Sequence, residues 1–237
     1  MGSKLEAGRE AGEGRRPSSS EQALRSLLGA LGEMDLEARA SACGGHYRPA
    51  AAGSAPSSAP APPLSPAAES VAIDFLDCRY LVTREDVTAE RGEPPSVWVK
   101  ILVLIYLTRA GGGPATGSWV SYRDLPNSVS KSASFEECSA RVARAFEGDP
   151  AGLERGVLAL GGRPSGTGSA DLAYVLAVLP RVPVLLLFWD QEEEFPARAS
   201  FLLDGNVLDY LDLEALLFVG EALAGRLLGE GLGDLVG

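Results

Sequence analysis

The sequence predicts an α+β fold: a single domain with an antiparallel or mixed sheet of about four or five short strands covered by helices. Short apolar runs bounded by turn residues indicate the strands, and apolar residues at helical spacing behind capping residues indicate the helices. A chain of 237 residues exceeds what one compact domain needs but is short for two separate cores. We therefore expect one domain over residues 20–237.

Two segments are predicted to lie outside the packed core. Residues 1–19 are rich in Gly, Glu, Arg and Ser without periodicity, which is typical of a disordered leader. Residues 49–68 contain six prolines, eight alanines, four serines and no charged residue. Such a composition buries too little apolar surface to offset its ordering entropy. We expect a disordered insert that interrupts one domain, because capped helices precede it.

Capping patterns place the first two helices. Ser18 and Glu21 form a capping-box pattern at the start of the first, and Asp35 precedes a second that Gly44 and Gly45 would stop. Five further helices are predicted to start near Val97, Phe135, Leu153, Leu172 and Leu213.

Two of these helix predictions depend on spacing. Leu172, Val175, Leu176 and Leu179 show the i, i+3, i+4, i+7 spacing of one helical face, and Pro180 would end that helix. From Leu213 onward, leucines recur on one face of a predicted helix over four turns.

The predicted strands come in two groups. Residues 71–75 and 80–82 suggest a β-hairpin, and residues 118–122 a short strand. Residues 184–189 have the composition of a buried central strand. Residues 199–203 are predicted to pair with it as an antiparallel mate across the loop 191–196.

Charge and composition exclude several function classes. A net charge of -11 and a pI near 4.7 argue against nucleic acid or an anionic membrane as the main partner. The longest apolar run, residues 101–107, is far shorter than the ~20 residues that a membrane span requires. Three widely spaced cysteines indicate neither a disulfide framework nor a metal knuckle. We expect a cytoplasmic protein.

Residues that suggest catalysis also have simpler interpretations. His46 is the only histidine and is expected to be a solvent-facing loop residue rather than part of a catalytic triad. The Gly-rich loops at 111–117 and 161–168 invite comparison with a phosphate cradle. However, the second has no lysine between Gly166 and Thr167, which a P-loop needs to reach the phosphates. A helix C-cap followed by a turn explains both loops.

Two groups of residues are the candidates for a site. Asp190, Glu192, Glu193 and Glu194, together with Asp204, form either a charged hairpin tip or a set of oxygen ligands and acid–base groups. Trp119, Tyr122 and Arg123 follow the first Gly-rich loop. They either form the wall of a pocket or fill the core, with Arg123 solvated.

Four segments, in this order, resemble an uncharacterised family catalogued as domain of unknown function 3786. They are TGSWVS at 116–121, LPRVP at 179–183, Trp189 followed by EEFPA at 193–197, and LLD at 202–204. The resemblance runs from about Glu21 to Leu228, and its specificity comes from the order and spacing of the segments together.

The resemblance implies a functional context. Members of this family occur mainly in anaerobic bacteria and archaea and are sometimes fused to, or encoded beside, the iron-sulfur domain of corrinoid methyl-transfer proteins. This implies an accessory role in one-carbon metabolism. Because the chain lacks a cysteine cluster, no cofactor is intrinsic, and any corrinoid contact would come through a corrinoid or iron-sulfur protein in trans.

The leading hypothesis is therefore a non-catalytic binding or accessory module for corrinoid-linked or iron-sulfur one-carbon metabolism. Two alternatives stay open: a small metal-dependent hydrolase or transferase that uses the acidic cluster, and a structural protein-interaction domain. The recognition surface is predicted to consist of Trp119, Tyr122, Arg123, Glu193, Glu194 and Phe195.

Overall fold

The structure, a computed structural model, describes residues 18–50, 68–111, 113–166 and 169–232. Most of the predicted leader and insert, residues 1–17 and 51–67, therefore lies outside the described residues. Within the described ranges the chain forms six α-helices and two antiparallel sheets of four and five strands. The predicted α+β arrangement is confirmed, and its strands are divided between two sheets.

The N-terminal part of the chain carries the four-stranded sheet, with strand order β1-β2-β3-β4. Its elements are α1 (Ser19–Gly32), α2 (Leu36–Cys43), β1 (His46–Arg48), β2 (Ser70–Phe75), β3 (Cys78–Val82), β4 (Val87–Ala89) and α3 (Val97–Arg109). The predicted caps are confirmed: the Ser18 hydroxyl accepts from Glu21 N at 3.2 Å, and Asp35 accepts from Glu37 N at 2.9 Å. Gly44 ends α2 in the left-handed conformation, with φ of 73°.

The C-terminal part carries the five-stranded sheet, with strand order β5-β9-β8-β7-β6. Its elements are β5 (Trp119–Ser121), α4 (Ser132–Ala145), α5 (Pro150–Ala159), β6 (Arg163–Pro164), β7 (Leu172–Leu179), β8 (Val182–Trp189), β9 (Arg198–Asp204) and α6 (Leu213–Leu227). Helix α4 packs against β9 and α6. The approach of α4 to α6 is close, because a Cβ on Gly220 would lie 3.0 Å from the Phe135 ring.

The prediction of a helix that starts near Leu172 is wrong, because residues 172–179 form strand β7. Nearly every residue of this segment is apolar, so positions at helical spacing can be found in a strand that has only one buried face. Tyr174, Leu176 and Val178 are buried at the period of two that a strand requires. Pro180 and Arg181 form the turn between β7 and β8, and Leu179 pairs with Val182 across this turn.

One hydrophobic core connects the two sheets. The amide of Leu76, in the β2–β3 turn, donates to Val178 O at 2.9 Å. The hydroxyl of Tyr106, on α3, donates to Cys43 O and accepts from Arg181 N, the latter at 2.9 Å. No helix among the described residues has the length and hydropathy needed to cross a membrane.

Candidate functional site

The strand β9 has a partly open edge. Strand β8 pairs with residues 198–203 of β9, but β5 pairs only with residues 202–204, ending where Ser121 opposes Leu202. The chain then leaves the sheet in a 3₁₀ turn, Tyr122–Asp124. Residues 198–201 therefore have a strand neighbour on one side only.

The hydrogen bonds at its two ends show which backbone groups face this open edge. Gly205 N donates to Ser118 O at 2.8 Å, and Ala197 N donates to Glu147 Oε1 at 3.1 Å. Both bonds point to the β5 side, and backbone groups in a strand alternate in direction from one residue to the next. Ala199 and Phe201, which lie between them, thus direct their N–H and C=O groups outward, where no described residue pairs with them.

A groove of about 680 Å³ lies between this edge and α4. We call it the β9 groove. Six of its lining side chains are small: Ser139, Ala140 and Ala143 on α4, and Ala197, Ala199 and Ser200 on or beside β9. The small side chains allow α4 to pack close to β9 while this groove stays open between them. Edge backbone beside a helix is the arrangement by which proteins bind an extended peptide as an added strand.

Trp189 and Arg198 close the end of the β9 groove that is nearest to the loop 190–197. The Arg198 guanidinium carbon lies 5.7 Å from the centre of the Trp189 ring, within the range of a cation–π contact. A second, smaller pocket shares Trp189, Pro196 and Arg198 with the groove and is also lined by Phe195. Phe195 is 63 % exposed, so an apolar surface continues from the groove to the loop.

The loop 190–197 carries the acidic cluster. Asp190 accepts from Gly148 N and from Gln191 N, each at 2.8 Å, and a backbone bridge between Glu192 and Phe195 closes the tip. Glu192, Glu193 and Glu194 are exposed, and none has an ion-pair partner among the described residues. The described part of the chain contains no cluster of three or more metal-ligating side chains of the His, Cys, Asp and Glu types.

Asp204 lies at the opposite end of β9 from this loop. It is fully buried, and its carboxylate accepts from Thr116 N at 3.0 Å, the Thr116 hydroxyl at 2.9 Å, Gly117 N at 2.7 Å and Asn206 N at 3.3 Å. Burial alone would raise the pKa of Asp204, but these hydrogen bonds outweigh it and hold the pKa below its ordinary value. The first Gly-rich loop therefore cradles an anion of the protein itself.

The predicted recognition surface does not converge on one place. Trp119 pairs with Asp204, at the far end of β9 from Glu193 and Glu194. Tyr122 belongs to the core: its ring stacks on Phe135 with centroids 4.6 Å apart, and its hydroxyl donates to Leu213 O at 3.1 Å.

None of the residues predicted for the recognition surface lines the β9 groove, but Arg123 and Phe195 each lie next to a residue that does. Arg123 is exposed and pairs at 2.9 Å with Glu136, which lines the groove. Sequence reasoning missed the small residues of α4 and β9. The sequence does show small residues at helical spacing, Ala140 and Ala143, and at alternate positions of the chain, Ala197 and Ala199. This pattern indicates a groove only when α4 and β9 are known to be neighbours.

The remaining candidates have structural roles. His46 is exposed, as expected, but it begins β1 rather than lying in a loop. The second Gly-rich loop follows α5, with Gly161 at φ of 77° and Gly162 N donating to Val157 O at 2.9 Å, as expected of a helix end. Cys43, Cys78 and Cys138 are free thiols.

Fold and groove together define a two-sheet α+β protein with an open strand edge that faces a helix. The family described as Domain of unknown function (DUF3786) matches residues 63–226, and the chain belongs to this family. The match begins within the predicted insert, so α1, α2 and β1 precede it. No significant match was found among curated proteins or among solved structures.

Proposed function

We propose that the chain is a non-catalytic binding module that holds an extended segment of a partner protein in the β9 groove. The observation that carries this proposal is the outward backbone groups of Ala199, which lines this groove of small side chains, and of Phe201, which lies two residues further along the same edge. An added strand would satisfy these groups and continue the five-stranded sheet beyond the end of β5.

The energetics favour reversible binding. Two residues offer four backbone hydrogen bonds, and each is worth only about 0.5–1.5 kcal/mol net. Apolar burial against the alanines and Trp189 adds about 25 cal/mol per Å² removed from water. Because association itself carries a large entropic cost, we expect affinities in the micromolar range, which suits an accessory protein that binds and releases its partner.

The proposal includes the context that the family resemblance implies. The partner would be a corrinoid or iron-sulfur protein of one-carbon metabolism, acting in trans in the cytoplasm. In this arrangement the cofactor belongs to the partner, and the chain contributes the groove. Its role would be to hold or position that partner.

Filling the groove should abolish partner binding. Ala140→Trp places an indole in the β9 groove, whereas Ala145→Trp places the same group on the exposed far side of α4. In anaerobic affinity purification from cell extract, we expect the unaltered chain and Ala145→Trp to retain a protein with bound cobalt or iron, measured by elemental analysis. Ala140→Trp should retain at least tenfold less.

A second variant tests the strand edge itself. Ala199→Pro removes an outward N–H and leaves the β8–β9 hydrogen bonds in place, since proline is tolerated on edge strands where the N–H faces solvent. It should also reduce recovery at least tenfold while circular dichroism and melting temperature stay close to those of the unaltered chain. The proposal would be contradicted if Ala140→Trp and Ala199→Pro recovered as much partner as the unaltered chain. It would also be contradicted if the captured partner contained neither cobalt nor iron.

A further inference from the structure

We infer, on the basis of the proposed function, that the segment bound in the β9 groove is basic at the end that passes the loop 190–197. The binding site consists of the β9 groove and its strand edge. The charged residues at one end of the groove determine the charge of the segment that binds there. The observations that support this are the continuity of the edge with the loop and the imbalance of charge there.

The geometry brings any added strand to this loop. A segment that pairs with Phe201 and Ala199 and continues in the same direction next reaches Ala197, whose N–H is held by Glu147. At ~3.3 Å per residue, two or three more residues bring it beside the tip at 192–195. The bound segment therefore passes from a groove of small side chains to an exposed acidic surface within a few residues.

The charges at this end are unbalanced. Glu192, Glu193 and Glu194 are exposed and form none of the ion pairs of the described residues. Glu147 is also exposed, and the hydrogen bond that it accepts comes from the neutral amide of Ala197. Four exposed carboxylates thus lie at this end of the edge, and none of them forms an ion pair with a described residue.

The cations near the groove do not compensate for this. Arg123 pairs with Glu136, and Arg144 pairs with Glu137. Arg198 lies against the Trp189 ring and is a single charge among four carboxylates. Lysine or arginine side chains on the bound segment would supply the missing charge, and aromatic Phe195 would contact their aliphatic parts.

Overall charge points to the same occupant and argues against a second copy of this chain. Each copy carries a net charge of -11, so pairing two β9 edges would bring two negative proteins and two acidic loops together. A basic segment is instead attracted from a distance, which raises its association rate at low salt.

A peptide selection tests this inference on the full chain. A random library of twelve-residue peptides is displayed on phage and selected on the immobilised protein, and the binders are synthesised for fluorescence anisotropy. We expect binders with net positive charge, whose affinity falls as salt is raised from about 50 to 500 mM. Binding should weaken at least tenfold in Ala140→Trp.

A triple charge reversal isolates the loop. Glu192→Lys, Glu193→Lys and Glu194→Lys together should weaken binding of the selected peptides at least tenfold. Glu33→Lys, Glu85→Lys and Glu93→Lys make the same change in net charge at exposed positions around the other sheet and should weaken it less than threefold.

The outcomes separate this inference from the proposed function. Peptides that are neutral or acidic but still lose affinity in Ala140→Trp would contradict the basic character of the segment and leave the proposed groove binding unaffected. Equal loss of affinity in the two triple variants would have the same meaning. An absence of binders, or binders indifferent to Ala140→Trp, would overturn the proposed function itself. A dimer by light scattering that Ala199→Pro converts to a monomer would make a second copy the occupant and overturn the inference.

Discussion

Replacing Asp204 by alanine is expected to lower the melting temperature by about 10 °C. The change removes a fully buried carboxylate that accepts hydrogen bonds from Thr116, Gly117 and Asn206, and it leaves their donors without acceptors. Because hydrogen bonds to one group are not additive, we expect a total loss of about 3–5 kcal/mol, and ~1 kcal/mol shifts the melting temperature of a chain of this size by about 2–4 °C.

Differential scanning calorimetry checks this prediction against two further variants. Asp204→Asn keeps the shape but turns an NH₂ group toward one of the donors, so we expect a smaller loss than with alanine. Asp209→Ala removes an exposed aspartate from the same region and should change the melting temperature by less than about 2 °C. A loss of that small size with Asp204→Ala would show that the cradle contributes nothing to stability.

The Asp204 cradle also predicts a pH dependence. Its folded-state pKa is held below the ordinary value, so the unfolded state takes up a proton first as pH falls. The stabilisation is therefore fully present above about pH 4, the ordinary pKa range of an aspartate, and is lost as pH falls through the folded-state pKa. The difference in melting temperature between the unaltered chain and Asp204→Asn should narrow below about pH 4. A constant or widening difference would contradict this assignment.

Local chemistry allowed much of the fold to be predicted from sequence. Ser18 and Asp35 were predicted to cap the first two helices, and each does so through a side-chain oxygen. Such caps work within one turn of helix, so the sequence contains all the information that they need. The hairpin of β8 and β9 was predictable for the same reason, because its strands are adjacent in the chain.

The candidate site depended on contacts that sequence spacing does not contain. Asp204 was grouped with the acidic loop because it follows soon after in sequence, but the seven-residue strand β9 separates them by ~20 Å. The open edge exists because β5, some eighty residues earlier in the chain, stops at Ser121. The groove therefore depends on a long-range register that no local pattern fixes.

Tyr106→Phe is expected to lower the melting temperature by about 5 °C or more. The Tyr106 side chain is fully buried, and its hydroxyl joins Cys43 O on α2 to Arg181 N in the β7–β8 turn. Burial raises the pKa of this phenol, so it stays protonated and keeps its proton for Cys43 O. Phenylalanine preserves the packing but leaves a donor and an acceptor unpaired, at a cost of about 1–3 kcal/mol each.

Hydrogen exchange distinguishes this connection from a general loss of stability. The Arg181 amide should exchange at least tenfold faster in Tyr106→Phe, and amides of the β8–β9 pairing should change only by the global loss of stability. Tyr47→Phe is the matched control, because its hydroxyl donates to Glu69 at the partly exposed surface and its removal should cost less than about 1 kcal/mol. An unchanged exchange rate at the Arg181 amide would show that the Tyr106 hydroxyl does not help to connect the two sheets. The connection would then depend on apolar packing and on other hydrogen bonds, such as that from Leu76 N to Val178 O.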